Sequence, residues 1–317
     1  MDSPELYHIK QQFILGAYKS LVERTLPDPE SPEYTPTLVY QARAHLALGN
    51  TTAASALVPA ATENVALKAV AALARFIAAE TDAAKEAALE ELRDVSVEIE
   101  GEDADASEWE RGTVRVLAGT AFARAGEIEE ALETLGAGND TRNLEAVAYT
   151  VQVYLSINRP DLARKEFERA KRWAEDDLLL QQIEAALGLA TGRDAYADAA
   201  AFFAEQLANP SLSSPRLLTA RGAARLLRGE LAAAKSDLEE AQAQMGGKPD
   251  AETLAAQVVA AGLGPGAAKP AEAELLFSQL AAEYPAFPLV VDLQQKADLF
   301  DELAAKFTVP PLATASA

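Results

Sequence analysis

The stretch from Asn143 to Asp177, NLEAVAYTVQVYLSINRPDLARKEFERAKRWAEDD, repeats its apolar positions with a helical period on both sides of a break. Val147, Val151 and Tyr154 fall at i, i+4 and i+7, which places them on one face of a helix. Asn158-Arg159-Pro160 ends that helix, because proline cannot continue a hydrogen-bond ladder but fits the first turn of the next one. The second helix offers Leu162, Ala163, Phe167 and Ala170. Small residues let two backbones approach, and large ones fill the space beside them. The pattern predicts a helical hairpin.

A single hairpin cannot bury its own apolar face, so copies are expected. With the break residue as an anchor, the unit recurs at Gly16, Gly49, Gly126, Asn158, Gly192 and Gly229. The last three intervals are close to the ~34-residue period of the tetratricopeptide repeat. Alanine stands five residues after the anchor at Ala54, Ala131, Ala163 and Ala234. Seven before it come Ala42, Gly119, Val151, Ala185 and Gly222, and nine after it Val58, Leu135, Phe167 and Leu238. In the Gly192 unit two extra turn residues bring Ala199 and Phe203 to the equivalent places. The expected fold is all-α, a tetratricopeptide-like solenoid of helical hairpins.

Along the chain, Pro4 to Glu23 reads as a first hairpin broken at Leu15-Gly16-Ala17. Helices are expected at Thr37 to Leu48, with Thr35 as N-cap, and at Thr52 to Ala60. A third unit, Val65 to Ala79 and Ala83 to Leu92, breaks near Glu80-Thr81-Asp82 without glycine. Glu98 to Glu108 is a run of carboxylates that reads as a mobile, dispensable loop; it lacks the fixed spacing of a calcium-binding hand. Pro215 to Ala243 is a further unit, with Ser214 as N-cap. Helices then follow at Ala251 to Ala261, Ala271 to Glu283 and Leu289 to Lys306. The last, with Leu293, Ala297 and Phe300 on one side, is expected to cap the stack. The division expected is one solenoid over residues 1–307 and a disordered tail at 308–317.

Composition narrows the function. Net charge is −21, so nucleic acid and anionic lipid are poor partners for this surface. Cysteine is absent, which removes disulfides and thiolate metal sites. MDSPELYHIK lacks the basic-then-apolar order of a secretory leader, so none is expected, and no stretch near ~20 residues is apolar enough to span a bilayer. The two histidines, His8 and His45, pair with no nucleophile or acid in a recognisable motif. No enzyme activity, cofactor or metal is expected.

Binding remains, and the repeat predicts where. Positions ten, six and three before each anchor form one stripe on the first helix of each hairpin, expected to line the concave wall. Three before the anchor stand Leu46, Ala123, Leu155, Leu189 and Leu226. Ten before it stand Val39, Val116, Ala148, Gln182 and Thr219. An open apolar wall of this kind calls for an apolar partner segment. Aspartate at Leu189 and Leu226 is then expected to abolish partner binding and spare the fold. A co-chaperone that clamps a peptide carboxylate would need basic residues there, and Arg43 alone qualifies.

Three segments, FILGAYKSLVE, YTVQVYLSINRPDLARKEFERAK and LFSQLAAEYPAFPLVVDLQQKADLFDELAAKF, resemble the coatomer epsilon subunit family of the COPI vesicle coat. The likeness rests on Gly16 and Tyr18 at the first break, on Pro160 through Glu166 (proline standing where leucine is usual), on the turn from Tyr284 to Pro288, and on the charged helix that includes Asp298 to Asp301. It runs the length of the chain, apart from the Gly262 to Pro270 loop and the acidic run near Gly101. The resemblance implies a non-catalytic coat subunit that binds the C-terminal region of the alpha coatomer subunit, and other coatomer subunits through it. It also implies a cytoplasmic protein, peripheral on the cytosolic face of Golgi and COPI vesicle membranes, serving retrograde Golgi-to-ER and intra-Golgi transport. The alternative is a generic tetratricopeptide scaffold or co-chaperone.

Overall fold

Helix follows helix because each break supplies a residue that can turn the chain. The computed structural model describes residues 3–101, 105–139, 141–192, 194–263 and 270–307. Among them are seventeen helices and no strand. α1 (Pro4–Ile14) pairs with α2 (Tyr18–Val22), α3 (Tyr34–Ala47) with α4 (Thr51–Leu57), and α5 (Val65–Ala78) with α6 (Asp82–Glu100). The series continues with α7 (Glu108–Ala125) and α8 (Ile128–Leu135), α9 (Leu144–Ser156) and α10 (Pro160–Lys171), and α11 (Leu178–Thr191) and α12 (Ala195–Leu207). It ends with α13 (Pro215–Leu227) and α14 (Leu231–Gln244), α15 (Ala251–Gly262) and α16 (Pro270–Glu283), and a single α17 (Pro288–Ala304).

All six anchor residues have positive φ, from +57° at Asn158 to +89° at Gly192. The left-handed region suits glycine and tolerates asparagine, which explains which residue types occupy the break. Gly16 is fixed twice over: its φ is +76°, and a Cβ there would lie 2.9 Å from Arg216 Cδ. The small positions are equally literal. Ala54, Ala131, Ala163 and Ala234 are all 0% exposed. A Cβ on Gly119 would lie 2.6 Å from Leu135 Cγ, and one on Gly222 3.1 Å from Leu238. The residue seven before the anchor therefore packs directly on the one nine after it. Core clusters join neighbouring hairpins: one runs from Leu38 to Ala131, another joins Val147 and Phe167 to Ile183, and a third joins Leu226 to Ala260.

Three boundaries differ from expectation for identifiable reasons. α3 opens at Tyr34, so Pro36 is its third residue; the first turn has no intrahelical use for that missing N–H. α4 stops at Leu57 because Val58, preceding Pro59, is pushed to an extended ψ of 122°. The largest correction concerns the acidic run. α6 continues to Glu100, with Val95 7% and Ile99 0% exposed in the core and Glu98 paired to Lys68 at 3.1 Å. At the other end Ser107 caps α7 in a reciprocal capping box with Glu110. Residues 102–104 of the run lie outside the described residues; deleting 98–108 would remove Ile99 from the core together with the Ser107 cap, so the deletion is expected to destabilise the fold. Ile99→Ala is expected to lose about 2–5 kcal/mol of stability, read by urea denaturation; a change below ~0.5 kcal/mol would place Ile99 outside the core.

α17 caps the stack through its first turn alone, where Leu289 and Val290 pack against Leu254 and Leu280. Leu293, Ala297 and Phe300, expected to lie against the stack, are exposed. Residues 308–317, expected as a disordered tail, lie outside the described residues.

Candidate partner-binding surface

The stack curves until its first hairpin meets α13 and α14. Ser214, the N-cap of α13, accepts from the Leu217 N–H and donates its own hydroxyl to the Leu15 carbonyl at 2.6 Å. Leu15 is buried among Ala185, Phe203 and Leu217 of α11, α12 and α13. Arg216 donates to the Tyr18 hydroxyl at 3.2 Å, and Lys19 Nζ to the Gln244 carbonyl at 2.5 Å. The N-terminal hairpin thereby fastens the solenoid to itself across some two hundred residues of sequence.

A second tie crosses the interior. Arg43 on α3 donates to one carboxylate oxygen of Glu145, in the first turn of α9, at 2.7 Å. The Tyr40 hydroxyl donates to the other at 2.5 Å. The Arg43 guanidinium lies 4.4 Å from the Phe13 ring centroid, so α1, α3 and α9 meet at one point. Burial alone would push the Glu145 carboxyl up; the charge of Arg43 and the Tyr40 hydroxyl outweigh it and hold the group below its usual value. Beside this tie is a cleft of about 140 Å³, lined by Phe13, Tyr18, Ala148, Gln152, Gln182 and Arg216. Gln182 Oε1 is buried there without a hydrogen-bond partner among the described residues. A neighbouring cleft of about 330 Å³ lies between Lys10, Trp109, Arg142 and Leu179.

The expected wall residues divide into two groups. Val39, Leu46, Val116, Thr219 and Leu226 are buried between hairpins. Thr219, for instance, is 2.7 Å from Thr253, its hydroxyl bonded across to the next repeat, and Leu226 packs on Ala234, Leu238 and Ala260. For these five the open-wall expectation does not hold: they pack against the adjoining hairpin. Leu226→Asp would bury a charge in the core, so this variant is expected to destabilise the fold rather than spare it. Ala123, Ala148, Leu155, Gln182 and Leu189 keep part of their surface exposed, and of the ten only Ala148 and Gln182 border the 140 Å³ cleft. Glu145 and Arg216, which shape that interior, carried no repeat-offset signal, because their partners lie about one and two hundred residues away.

No group of three or more His, Asp or Glu side chains is placed to hold a metal ion among the described residues. Nor, among them, is any helix long and apolar enough to cross a membrane. Comparison with known proteins bears on identity. The sequence model of the family described as Coatomer epsilon subunit matches residues 2–308. The chain belongs to the coatomer epsilon subunit family.

Relatives agree with that assignment. Coatomer subunit epsilon of Caenorhabditis elegans is 27% identical over 305 residues, covering 95% of this chain and 98% of its own. Probable coatomer subunit epsilon of Schizosaccharomyces pombe is 26% identical over 312 residues, 96% of each chain. The match to Coatomer subunit epsilon-1 of Arabidopsis thaliana, 27% identical, spans 61% of this chain and 62% of that protein's length. Among solved structures, a tetratricopeptide repeat protein of Parabacteroides merdae superposes with a TM-score of 0.53 at 16% identity, over 81% of this chain and 96% of that one. Cut9–Hcn1 of the APC/C superposes with 0.55 at 15% identity, over 92% of this chain and 54% of that one. These two show the fold alone, and the coatomer epsilon match supports a COPI coat subunit.

Proposed function

We propose that this chain is a non-catalytic subunit of the COPI coat that binds and stabilises the C-terminal region of the alpha coatomer subunit. It would serve retrograde Golgi-to-ER and intra-Golgi transport from the cytosolic face of Golgi and vesicle membranes, as one solenoid over residues 1–307. The observation that carries this reading is the coatomer epsilon match across residues 2–308. Its acidic surface supports the rest: a chain of net charge −21 gains little from an anionic membrane directly and reaches one through a partner.

The partner is proposed to use the half-buried remainder of the inner wall, Ala123, Ala148, Leu155 and Leu189, with Ala148 at the cleft. The co-chaperone alternative has lost its best residue, since Arg43 is held by Glu145 and cannot clamp a peptide carboxylate. Co-expression with a C-terminal fragment of the alpha coatomer protein should give co-elution in size-exclusion chromatography. Ala148→Glu, which puts a charge into the cleft, should weaken that association at least about tenfold, ~1.4 kcal/mol, with the helical signal retained. Undiminished binding by the folded variant would move the contact elsewhere.

A further inference from the structure

Arg216 opens α13 with no acid to answer it. It follows Ser214 at the cap and Pro215 at the first position, and that first turn contains no carboxylate. The amide groups at a helix start already favour negative charge, so a cation there is unfavourable until an anion meets it. The guanidinium donates to the Tyr18 hydroxyl at 3.2 Å and reaches no carboxylate among the described residues. Glu252 of α15 bears on it from beyond ion-pair distance and is itself exposed.

The side chain is nonetheless held in place. Its stem lies on the bare backbone of Gly16, where a Cβ would stand 2.9 Å from Arg216 Cδ and 3.0 Å from its Cβ. The first break of the chain thus carries the stem, Tyr18 steadies the head, and the guanidinium borders the 140 Å³ cleft.

Charge and an unpaired acceptor select the occupant. Three charged residues line this cleft, and two of them, Arg43 and Glu145, cancel at 2.7 Å. What remains is the single positive charge of Arg216, on a chain of net charge −21. Across the cleft Gln182 of α11 keeps Oε1 buried without a partner among the described residues. A buried acceptor left unpaired is costly, and a donor from a ligand removes that cost. A carboxylate for the arginine and an N–H for the glutamine are what a peptide segment with an acidic side chain brings. The cleft has room for one such side chain, not for a helix. A peptide carboxyl terminus fits less well, since clamping it takes several cations and Arg43 is already matched.

We propose that this cleft is a carboxylate subsite, in which Arg216 pairs with an aspartate or glutamate side chain of a partner segment and Gln182 Oε1 accepts an N–H of the same segment. The segment is assigned to the C-terminal region of the alpha coatomer protein, an assignment that rests on the coat-subunit reading. The test is titration calorimetry of the full chain with a fragment of that region. Arg216→Gln should weaken binding at least about tenfold. Gln182→Leu should weaken it several-fold with the melting temperature unchanged or raised, because it removes an unpaired buried acceptor. Tyr18→Phe removes the hydrogen bond that Arg216 makes within the chain and keeps the guanidinium, so it should bind within about threefold of the parent. Arg216→Glu should abolish binding, and a fragment in which one acidic residue is replaced by arginine should restore it. That reversal decides the matter even where Arg216→Gln lowers the melting temperature. Parent-like binding by folded Arg216→Gln, or no such fragment restoring Arg216→Glu, would overturn the subsite and leave the coat-subunit reading standing. If the folded parent does not bind the fragment, both fall. Inorganic phosphate binding that needs Arg216, with fragment binding that does not, would make this a small-anion site and overturn the proposal too.

Discussion

Glu145→Ala should destabilise the protein by about 3–5 kcal/mol, the usual cost of stranding one member of a buried ion pair. Arg43 is 5% exposed and its carboxylate partner 23%, so water replaces little of the lost contact. Tyr40 loses its acceptor in the same step. Because the pair ties α3 to α9 across the interior, the variant should also open the curve of the solenoid, visible as a larger radius of gyration by small-angle scattering. Removing both charges, Arg43→Met with Glu145→Leu, should recover most of the stability, since a well-packed apolar pair substitutes for an ion pair at little cost. A Glu145→Ala protein that melts with the parent would show that the tie contributes nothing.

The pH dependence follows from the same group. Glu145 is held below its usual value of 4.5 in the folded chain, so its stabilisation is present above that value. It is lost as pH falls through the lower, folded-state value. The parent should therefore lose part of its stability on acidification below about pH 4.5, and the apolar double variant should lose less.

The second large effect belongs to the repeat itself. Leucine at Ala131, Ala163 or Ala234 should cost roughly 1–3 kcal/mol each, because all three are fully buried where two helices of one hairpin approach. The sites lie in three different hairpins, so their effects should add to roughly 3–9 kcal/mol in the triple variant. Chemical denaturation would register this as an early transition or a protein unfolded at the outset. Three single variants with the parent's midpoint would mean the register is wrong.

That register was legible because it depends on local geometry. A left-handed break residue, a small residue five later and an apolar one nine later are each dictated within one hairpin, and Gly119 against Leu135 shows how directly. The inner wall was not legible in the same way. Whether Leu226 faces a groove or the next hairpin depends on how that hairpin stacks, here bringing Ala260 against it, and the sequence of one repeat does not contain that. Ile99 hid among carboxylates, though its distance of seven from Leu92 continued the core face of α6. Arg43 stood out as the lone cation on the stripe, but its partner lies 102 residues away, beyond the reach of any spacing rule. The apolar stripe of α17 was readable, but not that it leaves the stack after the first turn of the helix.

This coatomer epsilon family chain is proposed to act as a partner-binding coat subunit. The most direct test is light scattering during size-exclusion chromatography of the full chain mixed with a C-terminal fragment of the alpha coatomer protein. One peak with the summed mass of a one-to-one complex is the predicted result. Two peaks at the separate masses, with both proteins folded, would contradict it.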